Sequence, residues 1–282
     1  MTQLKLALPK GRMHDNVVRL LADAGIDLRT SPRGYRPEVS LPHVVTKVLK
    51  PQSIVEMVHT GTRDCGFAGH DWIRELGADV EEVLDTGMDP VRIVAAAPRE
   101  LVVDGELPER PLVVASEYER ITRAWMREGD TFLRSFGATE VLPPEDADCV
   151  VDNTATGSTL RANGLQIVGE LLRSSTRFIA SRAAWEDPAR RARIEEIAML
   201  LDSVIQARAR VMVEMNVQSG QLQALLEVLP SMRQPTVSEL AQGAGYAVRS
   251  AVPRVELAQV VPRLKAVGAT DIVITEFAGI VP

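Results

Sequence analysis

The stretch Cys149-Val150-Val151-Asp152-Asn153-Thr154-Ala155-Thr156-Gly157-Ser158-Thr159-Leu160 decides the reading of this chain. Cys149, Val150 and Val151 form a short apolar run of the kind that makes a buried strand. An acid, Asp152, stands where the strand ends. Small hydroxylated residues and one glycine follow, and a helical pattern resumes at Leu160. Backbone N–H groups and hydroxyls at such a strand-to-helix turn suit a phosphate, and an acid beside them suits ribose hydroxyls. The bare pattern also fits a plain turn, with Thr and Ser as ordinary caps and Gly157 as a turn residue.

Outward from this loop, strands and helices alternate. Lys5–Leu8 reads as a strand, Pro9-Lys10-Gly11-Arg12 as a turn, and Val17 to Ala24 as a helix stopped by Gly25. Glu38–Val48 is extended and broken by proline. Ser53–Thr60 reads as a helix and Asp64–Ala68 as a strand, followed by a Gly69-His70-Asp71 turn into a helix at Trp72–Leu76. Strands are expected at Val91–Ala97, Leu112–Ala115, Ala138–Val141, Cys149–Asp152 and Phe178–Ala180, with a helix at Glu117–Arg127. Pro188–Arg208 is a long helix with Ile194, Ile197, Ala198, Leu201, Val204 and Ile205 on one face. This alternation predicts two α/β units with mostly parallel sheets and ligand sites beyond the carboxyl ends of strands. The remainder reads as strand Val211–Val217, helix Gln221–Leu229, strands Thr236–Leu240 and Tyr246–Val252, helix Leu257–Val267 and strand Asp271–Phe277. That βαββαβ order is the split βαβ, or ferredoxin-like, motif and predicts a separate C-terminal domain.

Composition narrows the function classes. The 282 residues carry 32 Lys+Arg against 38 Asp+Glu, a net charge of −6, which argues against a general nucleic-acid binder. An apolar fraction of 45% supports a sizeable core. The two cysteines, Cys65 and Cys149, sit in apolar runs and read as buried reduced thiols. No zinc-like spacing, Walker A signature, G-x-G-x-x-G fingerprint or nucleophile elbow is present. The N-terminus has no apolar leader and no stretch is long enough to span a bilayer, so a cytoplasmic protein without membrane partners is expected.

Besides the Asp152–Leu160 loop, two turns stand out. Lys10 and Arg12 flank Gly11 after the first strand, where glycine lets backbone approach a ligand and two cations can meet phosphate oxygens; a solvated basic turn fits the same residues. Asp64-Cys65-Gly66-Phe67-Ala68-Gly69-His70-Asp71 ends a strand with two glycines and an acid, and close strand–helix packing is the alternative there. His14, His43, His59 and His70 show no base–nucleophile pairing. Glu106, Glu109, Glu145, Asp146, Asp148 and the arginines 190, 191 and 193 read as solvated faces.

Together these pieces resemble ATP phosphoribosyltransferase of histidine biosynthesis, in its long, self-regulated form. The match runs through Leu6-Ala7-Leu8-Pro9-Lys10-Gly11-Arg12, Asp64 to Asp71, Ala147-Asp148 with Val150-Val151-Asp152, and Thr156-Gly157-Ser158-Thr159-Leu160-Arg161-Ala162-Asn163-Gly164-Leu165, in family order. The resemblance implies two catalytic lobes of the periplasmic-binding-protein type, residues 1–88 with 182–208 and residues 89–181, followed by a regulatory ferredoxin-like domain, residues 209–282. It implies transfer of a 5-phosphoribosyl group from phosphoribosyl pyrophosphate to N1 of ATP, with Mg²⁺ and release of pyrophosphate. The implied catalytic residues are Lys10, Arg12 and Glu140. The phosphoribosyl pyrophosphate loop is Asp152, Asn153, Thr154, Ala155, Thr156, Gly157, Ser158 and Thr159, and the ATP residues are Gly11, Asp64, Gly66, Gly69 and Asp71.

Histidine is the implied inhibitor, held by Asn216, Gln234, Thr236 and Ala251, in a homo-oligomer (dimer and hexamer); plain edge-strand packing is the other reading of these four. Asn216 stands where a relative carries Asp, so weaker histidine binding is expected. The chain departs from the family at Ala155, at Ser53 and Val55, and in a short Leu142–Asp146 stretch that bears on the placing of Glu140. Two other readings are a non-catalytic two-lobed ligand-binding or effector-sensing protein and a regulatory subunit without activity. Thr156-Gly157-Ser158-Thr159 with Lys10 and Arg12 separates the transferase from a simple binder, which has no need of them.

Overall fold

A computed structural model describes residues 3–29 and 34–281. The chain divides into two compact units, one of residues 1–22 and 26–198 and one of residues 23–25 and 199–282. In the first unit the elements run β1 (Leu4–Pro9), α1 (Arg12–Asp23), β2 (Leu28–Arg29), β3 (Glu38–Val39), β4 (Val44–Leu49), α2 (Pro51–His59), β5 (Cys65–Gly69), α3 (His70–Leu76) and β6 (Val80–Asp85). They continue through β7 (Val91–Pro98), β8 (Val113–Ser116), α4 (Glu119–Trp125), β9 (Thr131–Arg134), β10 (Cys149–Thr154), α5 (Ser158–Ala162), β11 (Leu165–Ser174), β12 (Thr176–Ser181) and α6 (Arg182–Glu186). The long α7 (Pro188–Ala209) then carries the chain into the second unit.

Two five-stranded sheets make the first unit two-lobed, in the orders β4-β1-β5-β12-β6 and β11-β7-β10-β8-β9. The chain passes from the first sheet to the second between β6 and β7 and returns at Ser175, the double crossing expected of such lobes. The sheets are mixed rather than mostly parallel. Strands linked by helical crossovers within one lobe pair in parallel, as β1 does with β4 and β5, and β8 with β9 and β10. The strands that enter from the other lobe, β7 and β12, run antiparallel to both neighbours.

Packing explains the apolar runs. Ile93, Ala95, Val114, Cys149 and Val151 face one cluster, while Val94, Ala96, Ala115 and Val150 face another on the opposite side of the same sheet. Strands covered on both faces read as continuous apolar stretches. Both cysteines are free and buried. Burial raises both thiols, Cys149 to about 12, so neither is a ready nucleophile.

Three expectations need correction. The Ala138–Val141 strand is instead a single helical turn over Thr139–Val141, entered through Ala138 at φ 48°, and the strand lies earlier, at β9. Ser135 and Thr139 close that turn through a 2.6 Å hydroxyl pair. There is no turn at Gly69-His70-Asp71, because β5 runs through Gly69 and α3 begins at His70. The third concerns β11, ten residues that the sequence pattern does not reveal: two register shifts against β7 break its alternation.

In the second unit, β13 (Arg210–Val217), α8 (Leu222–Val228), β14 (Thr236–Glu239), β15 (Tyr246–Pro253), α9 (Leu257–Ala266) and β16 (Thr270–Glu276) follow the expected βαββαβ order. The sheet order is β14-β15-β13-β16, all antiparallel. Val211, Val213, Met215 and Val217 alternate into a core with Leu225, Val248, Val252, Val260 and Leu264.

Gly66 is a packing glycine. A Cβ there would lie 2.8 Å from Ile54 Cγ2 and 2.9 Å from both Ala7 Cβ and Ala7 O. Gly66→Ala is expected to cost about 1–3 kcal/mol by overpacking, lowering the melting temperature by roughly 2–10 °C. Thermal denaturation checks this; an unchanged melting temperature would show that the sheet yields freely at this point.

Candidate functional site

Two adjoining cavities lie at the carboxyl ends of the central strands of the first unit. The first, of about 340 Å³, is lined by Lys10 and Arg12 after β1, Gly69 at the end of β5, Asp71 in α3, and Tyr118 and Asn153 from the second lobe. Gly11 takes φ 83° and lets the chain turn sharply between the two cations. The Lys10 ammonium lies 5.6 Å from the centre of the Tyr35 ring.

Asp71 organises this cavity. Its carboxylate is buried and accepts the Tyr118 hydroxyl at 2.8 Å on one oxygen and the Ser174 hydroxyl at 2.7 Å on the other. Ser174 in turn accepts the Asp71 backbone N–H at 3.0 Å. Gly69 is needed here, because a Cβ would overlap Asp71 Oδ1. Tyr118 also accepts the Asn153 amide at 3.2 Å and stacks on Trp72 with ring centres 4.8 Å apart. One turn further along α3, the Glu75 carboxylate accepts the backbone N–H groups of Arg120 and Ile121, both at 3.0 Å, at the start of α4 in the other lobe.

The second cavity, of about 290 Å³, is lined by Arg12, Glu140, Asp152 to Thr156, Ser158 and Thr159. Arg12 and Asn153 line both cavities. The loop is held by its own chemistry. Thr154 Oγ1 accepts the Gly157 N–H at 2.8 Å, and the hydroxyls of Thr156 and Ser158 lie 3.1 Å apart. Gly157 takes φ 75°, and a Cβ there would lie 3.0 Å from the Arg161 guanidinium. Burial raises the Asp152 carboxyl to about 6; the backbone N–H of Asn153 opposes the shift, and the charges of Glu140 and Glu117 add to it.

Not every expected residue is here. Asp64 sits at the opposite end of β5 from the cavities. Its buried carboxylate accepts the Lys5 N–H at 2.7 Å and pairs with Arg190 of α7 at 3.1 Å, and it lines neither cavity. Gly66 lies mid-strand against Ala7 and Ile54 and lines neither cavity. Conversely, Trp72, Asp89, Tyr118, Ser174, Ser175 and Thr176 line the first cavity without having been singled out. Tyr118 follows the carboxyl end of β8, where the strand-end rule points. Ser174 ends β11, whose alternation is broken, Ser175 follows it, and Thr176 opens β12.

In the second unit, Asn216, Thr236 and Ala251 share the sheet face that the helices leave open, since Asn216 pairs with Ala247, Thr236 with Arg249, and Met212 with Ala251. Gln234 is in the loop before β14. The Asn216 amide donates to the exposed Asp271 carboxylate at 3.0 Å. Hydrogen bonds from Asn216 and Thr270 hold Asp271 below the usual carboxylate range.

Fold and site together define a two-lobed α/β protein with paired cavities between its lobes and an appended βαββαβ domain. A family model described as "ATP phosphoribosyltransferase" matches residues 50–203, and one described as "HisG, C-terminal domain" matches residues 207–278. The ATP phosphoribosyltransferase of Chlorobaculum parvum is 38% identical over 277 residues, covering 95% of this chain and 94% of the relative. That of Pelotomaculum thermopropionicum is 34% identical over 288 residues, covering 99% and 100%. A solved Thermotoga maritima structure, "ATP phosphoribosyl transferase (HisG:HisZ) complex", shares the fold at a TM-score of 0.62 and 22% identity, over 71% of this chain and 99% of that one. The chain belongs to the ATP phosphoribosyltransferase family, the pentosyl transferases of the first step of histidine biosynthesis.

The raised Asp152 carboxyl has a defined effect on stability. Its folded value lies above the ordinary carboxylate value, so the native state holds the proton more firmly than the unfolded chain does. The resulting stability is complete below about pH 4 and is lost as pH rises through about 6. Asp152→Asn is expected to be more stable than the natural protein by about 1–2 kcal/mol at pH 8, with the difference closing toward pH 4. Urea unfolding at the two pH values measures it; a difference that does not change with pH would contradict the raised carboxyl.

Proposed function

We propose that the two cavities hold the two substrates of phosphoribosyl transfer: ATP in the first, and the phosphoribosyl group of phosphoribosyl pyrophosphate in the second. The observation that carries this reading is Arg12, a cation lining both cavities where a leaving pyrophosphate would develop charge. Lys10 and Arg12 offset that charge from the turn after β1. Thr154, Ala155, Thr156, Gly157, Ser158 and Thr159 cradle the 5-phosphate with hydroxyls and backbone N–H groups. Asp152 accepts ribose hydroxyls in its ionised form, and Asn153 links the loop to Tyr118. Gly11, Gly69 and Asp71 shape the nucleotide cavity.

N1 of adenine is unprotonated at neutral pH, so placement rather than proton transfer dominates the reaction. Glu140 and Asp152 line one cavity, and burial raises Asp152, with a smaller addition from the charge of Glu140. Two carboxylates that repel in this way suit a divalent cation carried on phosphate oxygens. Mg²⁺ there would neutralise the leaving pyrophosphate.

The division into lobe one (residues 1–88 with 182–208), lobe two (89–181) and a regulatory domain (209–282) belongs to the same reading, except that β12 (Thr176–Ser181) joins the sheet of lobe one, so that the return falls at Ser175; a homo-oligomer, dimeric or hexameric, and a cytoplasmic setting belong to it as well. Among the described residues, no helix is long and apolar enough to cross a membrane. Histidine, the pathway product, is the proposed inhibitor, bound by Asn216, Gln234, Thr236 and Ala251. The Asp271 carboxylate beside Asn216 can supply the negative charge that Asn216 lacks, for the ligand's amino group.

Incubation with ATP, phosphoribosyl pyrophosphate and Mg²⁺, with pyrophosphatase present, is expected to give phosphoribosyl-ATP by mass analysis only when all three are added. Gly157→Val is expected to abolish product, because a branched side chain at φ 75° crowds Arg161 and the phosphate-facing backbone. Full product formation by Gly157→Val would remove this loop from the site.

Calorimetry of the full chain with histidine tests the regulatory reading. Binding that weakens roughly tenfold or more in Asp271→Ala is expected from the loss of a charged partner. A full chain that binds no histidine at millimolar concentration leaves residues 209–282 with another role.

A further inference from the structure

Asp89, in the short crossing between β6 and β7, combines three features. Its backbone is left-handed, φ 49°, a conformation uncommon outside glycine and tolerated best by Asn and Asp. Its carboxylate is held from two sides, by the Asn16 amide of α1 at 2.7 Å on one oxygen and by the Thr176 hydroxyl of β12 at 3.0 Å on the other. It also lines the first cavity. An ionised carboxylate has about four acceptor positions, so two remain beyond those that Asn16 and Thr176 occupy. The carboxylate is thus fixed by two side chains in the lining of the cavity, on a backbone conformation that is sparsely populated.

Its placing says what it meets. Asn16 lies one helical turn beyond Met13 on α1, and Val91 is two residues beyond Asp89; both Met13 and Val91 line the cavity, together with Trp72 and the ring of Tyr118. Lys10 and Arg12 stand before them on the chain. The cavity therefore offers cations for phosphates and apolar and aromatic surface for a flat ring, and Asp89 lies two residues before Val91, which is part of that surface.

We propose that Asp89 is a specificity-determining residue that accepts a hydrogen bond from the exocyclic amino group of the acceptor nucleotide's adenine. This rests on the assignment of the first cavity to ATP made above. The amino group is attached to the ring carbon next to N1, so holding it also orients the attacking nitrogen. A 6-oxo purine would turn an acceptor toward the carboxylate and be rejected.

The test is calorimetric binding of ATP, of purine riboside triphosphate (hydrogen in place of the amino group) and of 2′-deoxy-ATP to the full chain and its variants. The natural protein is expected to bind ATP roughly tenfold to a hundredfold tighter than purine riboside triphosphate, the size of one charged hydrogen bond. Asp89→Gly suits the left-handed backbone and is expected to stay folded, with a lower melting temperature from the two lost hydrogen bonds, while losing that gap. Asp89→Asn, of equal size, repeats the measurement with the side-chain volume kept and is expected to narrow the gap. A general loosening of the crossing would weaken all three ligands together and leave the gap, which would overturn the proposal. So would a natural protein that does not distinguish ATP from the amino-free analogue. So too would an Asp89-dependent loss seen with 2′-deoxy-ATP instead, since Asp89 would then read the ribose. Arg12→Met separates the two levels. If it weakens ATP while Asp89→Gly keeps the amino-group gap, only the role of Asp89 fails. If Arg12→Met leaves ATP binding untouched as well, the assignment of the cavity to ATP fails with it.

Discussion

The buried carboxylate of Asp71 is the interaction on which the site depends. A carboxylate removed from water is costly unless both oxygens find donors. Here the donors are Tyr118 of the second lobe and Ser174 at the return crossing, so the cost of burying Asp71 is offset only when the lobes stand together. Glu75, one turn along, repeats the arrangement by capping α4 across the same boundary. The stacked Trp72 and Tyr118 rings fill the space between these two polar ties. Asn153 is tied to this seam through Tyr118, and with it the start of the loop that lines the second cavity.

Much of this was legible in the chain, and the failures have physical causes. Strands β7 and β10 announced themselves because both faces are covered, and the C-terminal βαββαβ unit because its alternation and helix stops are clean. Strand β11 did not, because two register shifts move its apolar residues from one face to the other. The Ala138–Val141 run looked extended by composition, yet a left-handed Ala138 and the Ser135–Thr139 pair curl it into a turn. The phosphate-like loop and the Lys10–Arg12 turn were readable because their chemistry is local. Asp71 was noted, but its partners Tyr118 and Ser174, 47 and 103 residues away, were not, since nothing in sequence spacing records a contact made across a sheet crossing. Asp64 lies outside the cavities for the converse reason. An acid near a strand end suggests a ligand, but Asp64 is at the amino end, where it meets Arg190 and the Lys5 N–H.

The second unit follows a simpler rule. One face of its sheet is sealed by α8 and α9 and holds the core, which leaves the other face to polar and small residues. Asn216, an uncharged residue on that open face, has the Asp271 carboxylate at hydrogen-bond distance on the neighbouring strand, so the face carries negative charge beside Asn216 without an acid at that position.

Arg12 lines both cavities, and a single guanidinium cannot be shared without consequence. Whatever anion occupies one side draws on the field available to the other, so the two occupancies are thermodynamically linked, and the linkage acts equally in both directions. The order in which ligands arrive and products depart is then not a matter of access alone. On the proposed assignment, a pyrophosphate resting against Arg12 would change the affinity for the next nucleotide, and the nucleotide would change the affinity for pyrophosphate by the same factor.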